Sequence, residues 1–174
     1  MRKDLLISFI AEDRTGIVER LSSLVASHHG NWEDAQLARL GGKFTGLALV
    51  NLPAGEVISL RRSLASLTGE AIDCRITEAG NPPASGGLRL TLRVLGPDRP
   101  GIVHEISRAL CTAGINLLRL ESSVRSAPMS GEQLFQATIR ATAPASLARE
   151  ALDSELETIA DSMSLEIDML QDED

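Results

Sequence analysis

The chain is poor in aromatic residues, with three Phe, one Trp and no Tyr among its 174 positions. Any core must therefore be built from Leu, Ile, Val and Ala, and few rings are on hand to stack on nucleic-acid bases. Cysteine is scarce as well. Cys74 and Cys111 stand far apart with no Cys or His at ligand spacing, which argues against a disulfide framework or a zinc site and reads as two core thiols. No apolar run approaches the ~18 residues of a membrane span. The opening MRKDLLISFIAEDR has basic residues before a short apolar run, but Ser8 interrupts it, Glu12 and Asp13 follow at once, and no small-residue cleavage site is present. We expect a cytoplasmic address and no membrane partner. Positive charge is also short, with 17 Lys and Arg against 24 Asp and Glu, a formal net charge of −7. Proteins that neutralise phosphates present a basic footprint, so direct nucleic-acid binding is not expected. The sequence closes on Gln171-Asp172-Glu173-Asp174, which reads as an acidic tail at 171–174.

Against these deficits stands a hydrophobic content of 43%, enough for packed cores. A repeat organises it. EDRTGIVERL begins at Glu12 and PDRPGIVHEI at Pro97, and an offset of 85, from Asp13 to Asp98, superposes Arg14 on Arg99, Gly16 on Gly101, Ile17 on Ile102, Val18 on Val103, Ser22 on Ser107 and Asn31 on Asn116. Ile17, Val18, Leu21, Leu24 and Val25 recur on one helical face, as do Ile102, Val103, Ile106, Ala109 and Leu110.

Each helix pattern follows a strand-like run, LLISFIA at Leu5 and LRLTLRVLG at Leu88. Two further extended runs come next. In the first copy, WEDAQLARL and KFTGLALVNL are joined by Gly41-Gly42, a hairpin signal. In the second, INLLRLESSV and QLFQATIRA are joined by the longer RSAPMSGE. The offset then grows to 92, from Leu60 to Leu152, because the second hairpin is longer. Each copy closes on an alternating strand, Ile72-Cys74-Ile76 and Met163-Leu165-Ile167-Met169. Pro82-Pro83 and Gly86-Gly87 mark a linker. The expected organisation is a first domain at 1–79, a linker at 80–87 and a second domain at 88–170. The class is α+β, with two tandem ferredoxin-like βαββαβ units, each an antiparallel sheet with both helices on one face.

The repeated turn lies where a strand ends and a helix begins, so its open amides and the helix dipole favour an anion. Asp13 and Asp98 are placed to cap those amides. Pro100 suits a first helical turn, where Thr15 stands in the other copy. Gly16 and Gly101 remove a side chain where a ligand or neighbouring strand approaches.

Asp-Arg-x-Gly-Ile-Val after a strand, with an Asn about fifteen residues later, resembles the signature of the ACT-domain family, twice over and across nearly the whole chain. The stretch NWEDAQLARLGGKFTGLALV is similar in particular to regulators of the glycine cleavage system within that family. The resemblance implies a non-enzymatic, amino-acid-sensing transcriptional repressor that binds a small amino-acid effector, glycine foremost, and acts by antagonising a DNA-binding activator protein. It implies ligand-binding residues Asp13, Arg14, Gly16, Ile17 and Asn31, and Asp98, Arg99, Gly101, Ile102 and Asn116. The amides at Gly101-Ile102 would hold the effector carboxylate, and Asp98 or Asn116 its ammonium. A homodimer is expected, because ACT-like sheets join edge to edge. His29 stands where Gly114 and the family pattern have Gly, which favours the second site over the first.

Two other readings exist. A duplicated scaffold for protein interaction, without ligand, would keep the same pattern. An RNA-binding module of the same topology is echoed in GGKFTGLALV, yet after Phe44 that strand offers Leu47, Leu49 and Val50 in place of stacking rings. Catalysis has no constellation: Ser122 and Ser123 lack a nearby His in sequence, His104 reads as exposed, and His28-His29 with Glu33-Asp34 are histidines at a helix end facing water or the helix terminus. We expect no catalytic residue, no metal and no cofactor.

Overall fold

Alternation of apolar and polar residues along Arg2–Glu12 puts Leu5, Ile7, Phe9 and Ala11 on one side of a strand, β1, and these four are buried. The helix that follows, α1 (Ile17–Ser27), turns Ile17, Leu21 and Val25 onto the same side. Then come β2 (Asn31–Leu40), β3 (Lys43–Pro53), α2 (Val57–Ser66) and β4 (Ile72–Glu78). The second half repeats the order as β5 (Gly87–Pro97), α3 (Ile102–Thr112), β6 (Asn116–Ser126), β7 (Gln133–Pro144), α4 (Arg149–Met163) and β8 (Glu166–Leu170). This computed structural model describes residues 1–80, 87–128, 131–147 and 149–170. Linker residues 81–86 and the acidic tail at 171–174 lie outside the described residues.

The strands form two four-stranded antiparallel sheets, ordered β2-β3-β1-β4 and β6-β7-β5-β8. Each sheet has its own core. In the first, Leu60 and Leu64 of α2 join Leu21 of α1 over Ile7 and Val50; in the second, Leu152 and Leu156 of α4 join Ile106 of α3 over Leu92 and Ile139. Both helices of each unit therefore cover one sheet face, and the chain is two ferredoxin-like βαββαβ units. It divides into two compact units, Met1–Pro82 and Pro83–Asp174.

Gly41 and Gly42 close the first hairpin with φ of 57° and 77°. Two successive positive angles are what a type I′ turn requires, and its twist matches that of the flanking strands. Several local expectations are corrected. Val18 and Val103 are exposed, whereas Leu24 and Ala109 are partly buried against their cores, so the stripe of α1 and α3 runs at i, i+4, i+7 and i+8. Pro100 precedes the helix, because Gly101 is the N-cap. Met163 ends α4, and the last strand starts at Glu166 after Ser164 turns the chain with φ 52°. Cys74 is half-buried and packs against the first core, whereas Cys111 is exposed and is no core thiol. Burial and, to a lesser extent, the neighbouring Asp73 push the Cys74 thiol up to about 11.

Candidate functional site

The strand-to-helix corner of the first unit is built by three elements. β1 ends at Glu12, the amide of Asp13 donates to the carbonyl of Gly42 at 3.2 Å, and so the β2–β3 hairpin is fastened to the corner. Gly16 then takes φ 90° and ψ −2° as N-cap of α1, with no side-chain cap hydrogen bond. The expected capping by Asp13 does not occur. Its Oδ1 instead meets Arg39 Nε at 3.1 Å, a residue that β2 carries back across the sheet to this end. Gly16 is required for its angle and not for space, since a Cβ there would meet nothing within 4 Å.

Around this corner the side chains are charged. Arg14 donates to the Glu70 carbonyl at 3.0 Å, and Arg20 pairs with the Glu70 carboxylate at 2.7 Å. The hydrogen bond from Arg20 holds Glu70 below the usual carboxylate range and, reciprocally, raises Arg20. Asp13, Arg14, Gly16, Ile17, Arg39 and Phe44 line a cleft of about 260 Å³. Such a volume suits a metabolite of a few heavy atoms better than a drug-sized ligand.

The second corner repeats the backbone but not the charges. The amide of Asp98 donates to the Gln133 carbonyl at 2.8 Å, and Gly101 is the N-cap with φ 87° and no side-chain cap bond, so Asp98 does not cap α3 either. Where the first unit has Arg20, an offset of 85 puts Glu105, and its carboxylate takes Arg99 at 2.7 Å. That bond holds Glu105 below the usual carboxylate range and raises Arg99. Arg39 is replaced by Val124. Ile102, like Ile17, is buried beneath its corner.

Asn31 and Asn116 lie elsewhere. They begin β2 and β6, beyond the far ends of α1 and α3, helices of 11 residues that span about 16 Å at 1.5 Å per residue. Asn31 is opposite Asn51, which accepts from Arg2 and donates to Asp4, and Asn116 is opposite Thr142. Within one unit the corner residues come together and the Asn does not join them.

His29 also belongs to that far end, which corrects its bearing on the first corner. It terminates α1 in the left-handed region, φ 56°, with His29 N–H to Ala26 O and Gly30 N–H to Val25 O both at 2.9 Å. Gly114, φ 72°, does the same for α3. The pattern is a Schellman cap, and Gly at this place serves helix termination. His28 is held by α2 and its N-cap residue and not by Glu33 or Asp34: its Nδ1 is 2.9 Å from Glu56 Oε2 and its Nε2 3.1 Å from Ser63 Oγ. The order Ser, His, Glu has the spacing of a nucleophile relay, but Ser63 lies within α2, whose helix bonds occupy the neighbouring amides that would have to stabilise an oxyanion. Its evident work is to tie α1 to α2.

The residues missed from sequence are Arg39, Phe44, Glu70 and Arg20. Phe44 left a trace, as the ring after the glycine pair, and Arg20 lies one helical turn past Gly16; Arg39 and Glu70 reach the corner through strand pairing and the turn Leu67–Glu70, which spacing does not reveal.

Comparison with known proteins supplies the relatives of this arrangement. ACT domain family profiles match residues 3–74 and again residues 90–157. The glycine cleavage system transcriptional repressor of Escherichia coli K12 is 28% identical over 156 residues, covering 87% of this chain and 80% of that protein. A crystal structure of a protein of unknown role from Galdieria sulphuraria is 27% identical with a TM-score of 0.83, covering 97% of this chain and 98% of the other. A crystal structure described as a candidate glycine cleavage system transcriptional repressor, 17% identical, matches the fold with a TM-score of 0.74 over 98% of this chain and 97% of its own.

Proposed function

The chain belongs to the ACT-domain family, with two such domains in tandem, and on that premise we propose that it is a non-enzymatic regulator that senses a small amino acid and represses glycine cleavage genes through a protein partner. The observation that carries the reading is similarity to a repressor of that system along 87% of the chain, joined to a duplicated corner whose helix amides no side chain caps. The ligand-binding residues are Asp13, Arg14, Gly16, Ile17 and Asn31, with Asp98, Arg99, Gly101, Ile102 and Asn116 in the second copy. Amides of the first turn of each helix meet the effector carboxylate, since a helix N-terminus favours negative charge, and the Ile102 amide, which donates to the Arg99 carbonyl at 3.3 Å, gives up that bond to take part. Because each Asn stands a helix length from its own corner, a full set of contacts needs a second copy of the chain, and a cytoplasmic homodimer fits that need. The partner is a DNA-binding activator, which leaves DNA contact to it and suits a chain of net charge −7.

Magnitudes suit a reporter of metabolite level. Glycine has five non-hydrogen atoms, and at about −1.5 kcal/mol per atom it gains at most about −7.5 kcal/mol, a micromolar ceiling. Calorimetric titration with glycine and other amino acids tests the reading. Saturable heat with at least one of them is expected, and heat no greater than dilution for all of them would overturn sensing while leaving the scaffold alternative.

A further inference from the structure

The faces turned away from the helices differ between the two sheets. On the first, Leu6, Ile10, Leu47 and Leu49 alternate with the core residues of β1 and β3. On the second, arginine takes over. Arg89 and Arg93 of β5, Arg119 and Arg125 of β6 and Arg140 of β7 lie on that face, and all are exposed. The second unit has eight Arg and no Lys against fourteen Asp and Glu, so five of its eight cations gather where its net charge gives no reason for them.

Their register concentrates them further. Arg140 stands directly opposite Arg119 on one side and opposite Thr91 on the other, with Arg89 and Arg93 at the diagonal positions beyond Thr91. Like charges directly opposite destabilise a sheet, so this arrangement works against the fold. Acidic relief is partial: Arg119 bonds Glu121 and Arg93 faces Asp168 in register, whereas among the described residues Arg89 and Arg140 make no ion pair. Beside the cluster opens a depression of about 520 Å³, lined by Arg93, Glu121, Ser123, Gln136 and Thr138.

We propose that this face of the second sheet docks an acidic segment of a partner protein, with Arg89, Arg93 and Arg140 meeting its carboxylates and the depression taking one of its side chains. Arginine forks match carboxylates in two-point geometry, and their stems still offer apolar cover. Single-stranded nucleic acid fits worse, because the face offers no aromatic side chain and Glu121 faces the depression. The inference rests on the reading that the chain acts through a protein partner and identifies the surface that would meet it.

The test uses the full chain and a fluorescein-labelled peptide of alternating Glu and Leu, which presents carboxylates at strand spacing. Anisotropy is expected to report binding that weakens as salt rises, and to fall about tenfold in affinity in Arg93→Gln/Arg140→Gln. Arg108→Gln, on exposed α3 surface, is expected to bind as the parent does. Arg140→Gln alone relieves the opposition to Arg119, so its melting temperature should not drop while its affinity does; this separates lost docking from lost fold. No peptide binding by the parent, equal loss in Arg108→Gln, or tighter binding of an oligonucleotide of equal charge would each overturn the proposal. Glycine titration of the same proteins keeps the two readings apart. Peptide binding without amino-acid binding sinks sensing alone, and amino-acid binding without peptide binding sinks the docking face alone.

Discussion

Gly16 and Gly101 sit at φ 90° and 87°, angles at which an L side chain crowds its own carbonyl. Gly16→Ala is therefore expected to cost about 1–2 kcal/mol from backbone strain alone, because nothing lies within 4 Å of the added methyl group. Urea unfolding checks this; a cost above roughly 3 kcal/mol would mean a steric clash of the kind seen for buried overpacking. His29 is the reverse case. A β-carbon is already held in the left-handed region at the α1 terminus, so His29→Gly should stabilise the first unit by about 0.5–1 kcal/mol, relief of strain outweighing the greater freedom of unfolded glycine. Its amino-acid affinity should be unchanged, and a shift in affinity would tie the helix terminus to the corner. The thiols separate by environment: Cys111 is exposed, whereas burial and Asp73 keep Cys74 protonated, with a pKa pushed up to about 11. Iodoacetamide at neutral pH should modify Cys111 first, read by mass spectrometry of timed digests.

At the scale of elements, duplication was legible because the corner repeats five residues at one offset and the helix stripes repeat with it. The order of strands and helices followed from periodicity. What the sequence hid are features without a residue signature. β2 and β6 each carry a register shift, at Trp32/Asp34 and Leu117/Arg119, which lets Trp32 and Ala35, and likewise Leu117 and Leu120, pack against their cores despite odd spacing. An extra residue in a strand breaks alternation and reads as noise. Helix capping was misread for a related reason: an Asp before a helix is a common cap, but here the glycine between them turns the chain so that Asp13 reaches Arg39. The two corners differ at one helix position, Arg20 against Glu105, and at one strand position, Arg39 against Val124. Since Arg99 lowers the pKa of Glu105, that pair contributes stability above the unfolded carboxylate range and loses it as pH falls through the lowered folded value. Melting temperatures of the parent and Glu105→Gln should therefore differ at neutral pH and converge in acid; a gap that widens on acidification contradicts this sign.

Over the whole molecule the duplication produces two corners with one backbone and unequal charge, so equal effector sites are not expected. At the second, Glu105 already occupies Arg99, and a ligand carboxylate must compete with it at 2.7 Å. At the first, Arg39 is held by Asp13 at 3.1 Å and is itself 76% exposed, against 36% for Arg99 in its pair with Glu105. Such a pair is worth about 0–1 kcal/mol, so little opposes its transfer to a ligand. A charge-assisted hydrogen bond contributes about 1.5–3 kcal/mol, enough to set the two affinities roughly tenfold or more apart. Calorimetry with an amino acid that binds should then give a stoichiometry nearer one than two per chain at concentrations that saturate the stronger site. Arg39→Ala should weaken that site by about tenfold, and Glu105→Gln, which frees Arg99, should raise the affinity of the other. The two variants move the titration in opposite directions from opposite halves of the chain. Identical isotherms for the parent and both variants would show that neither Arg39 nor Arg99 meets the carboxylate, and the amides of the repeated turn would be left to hold it alone.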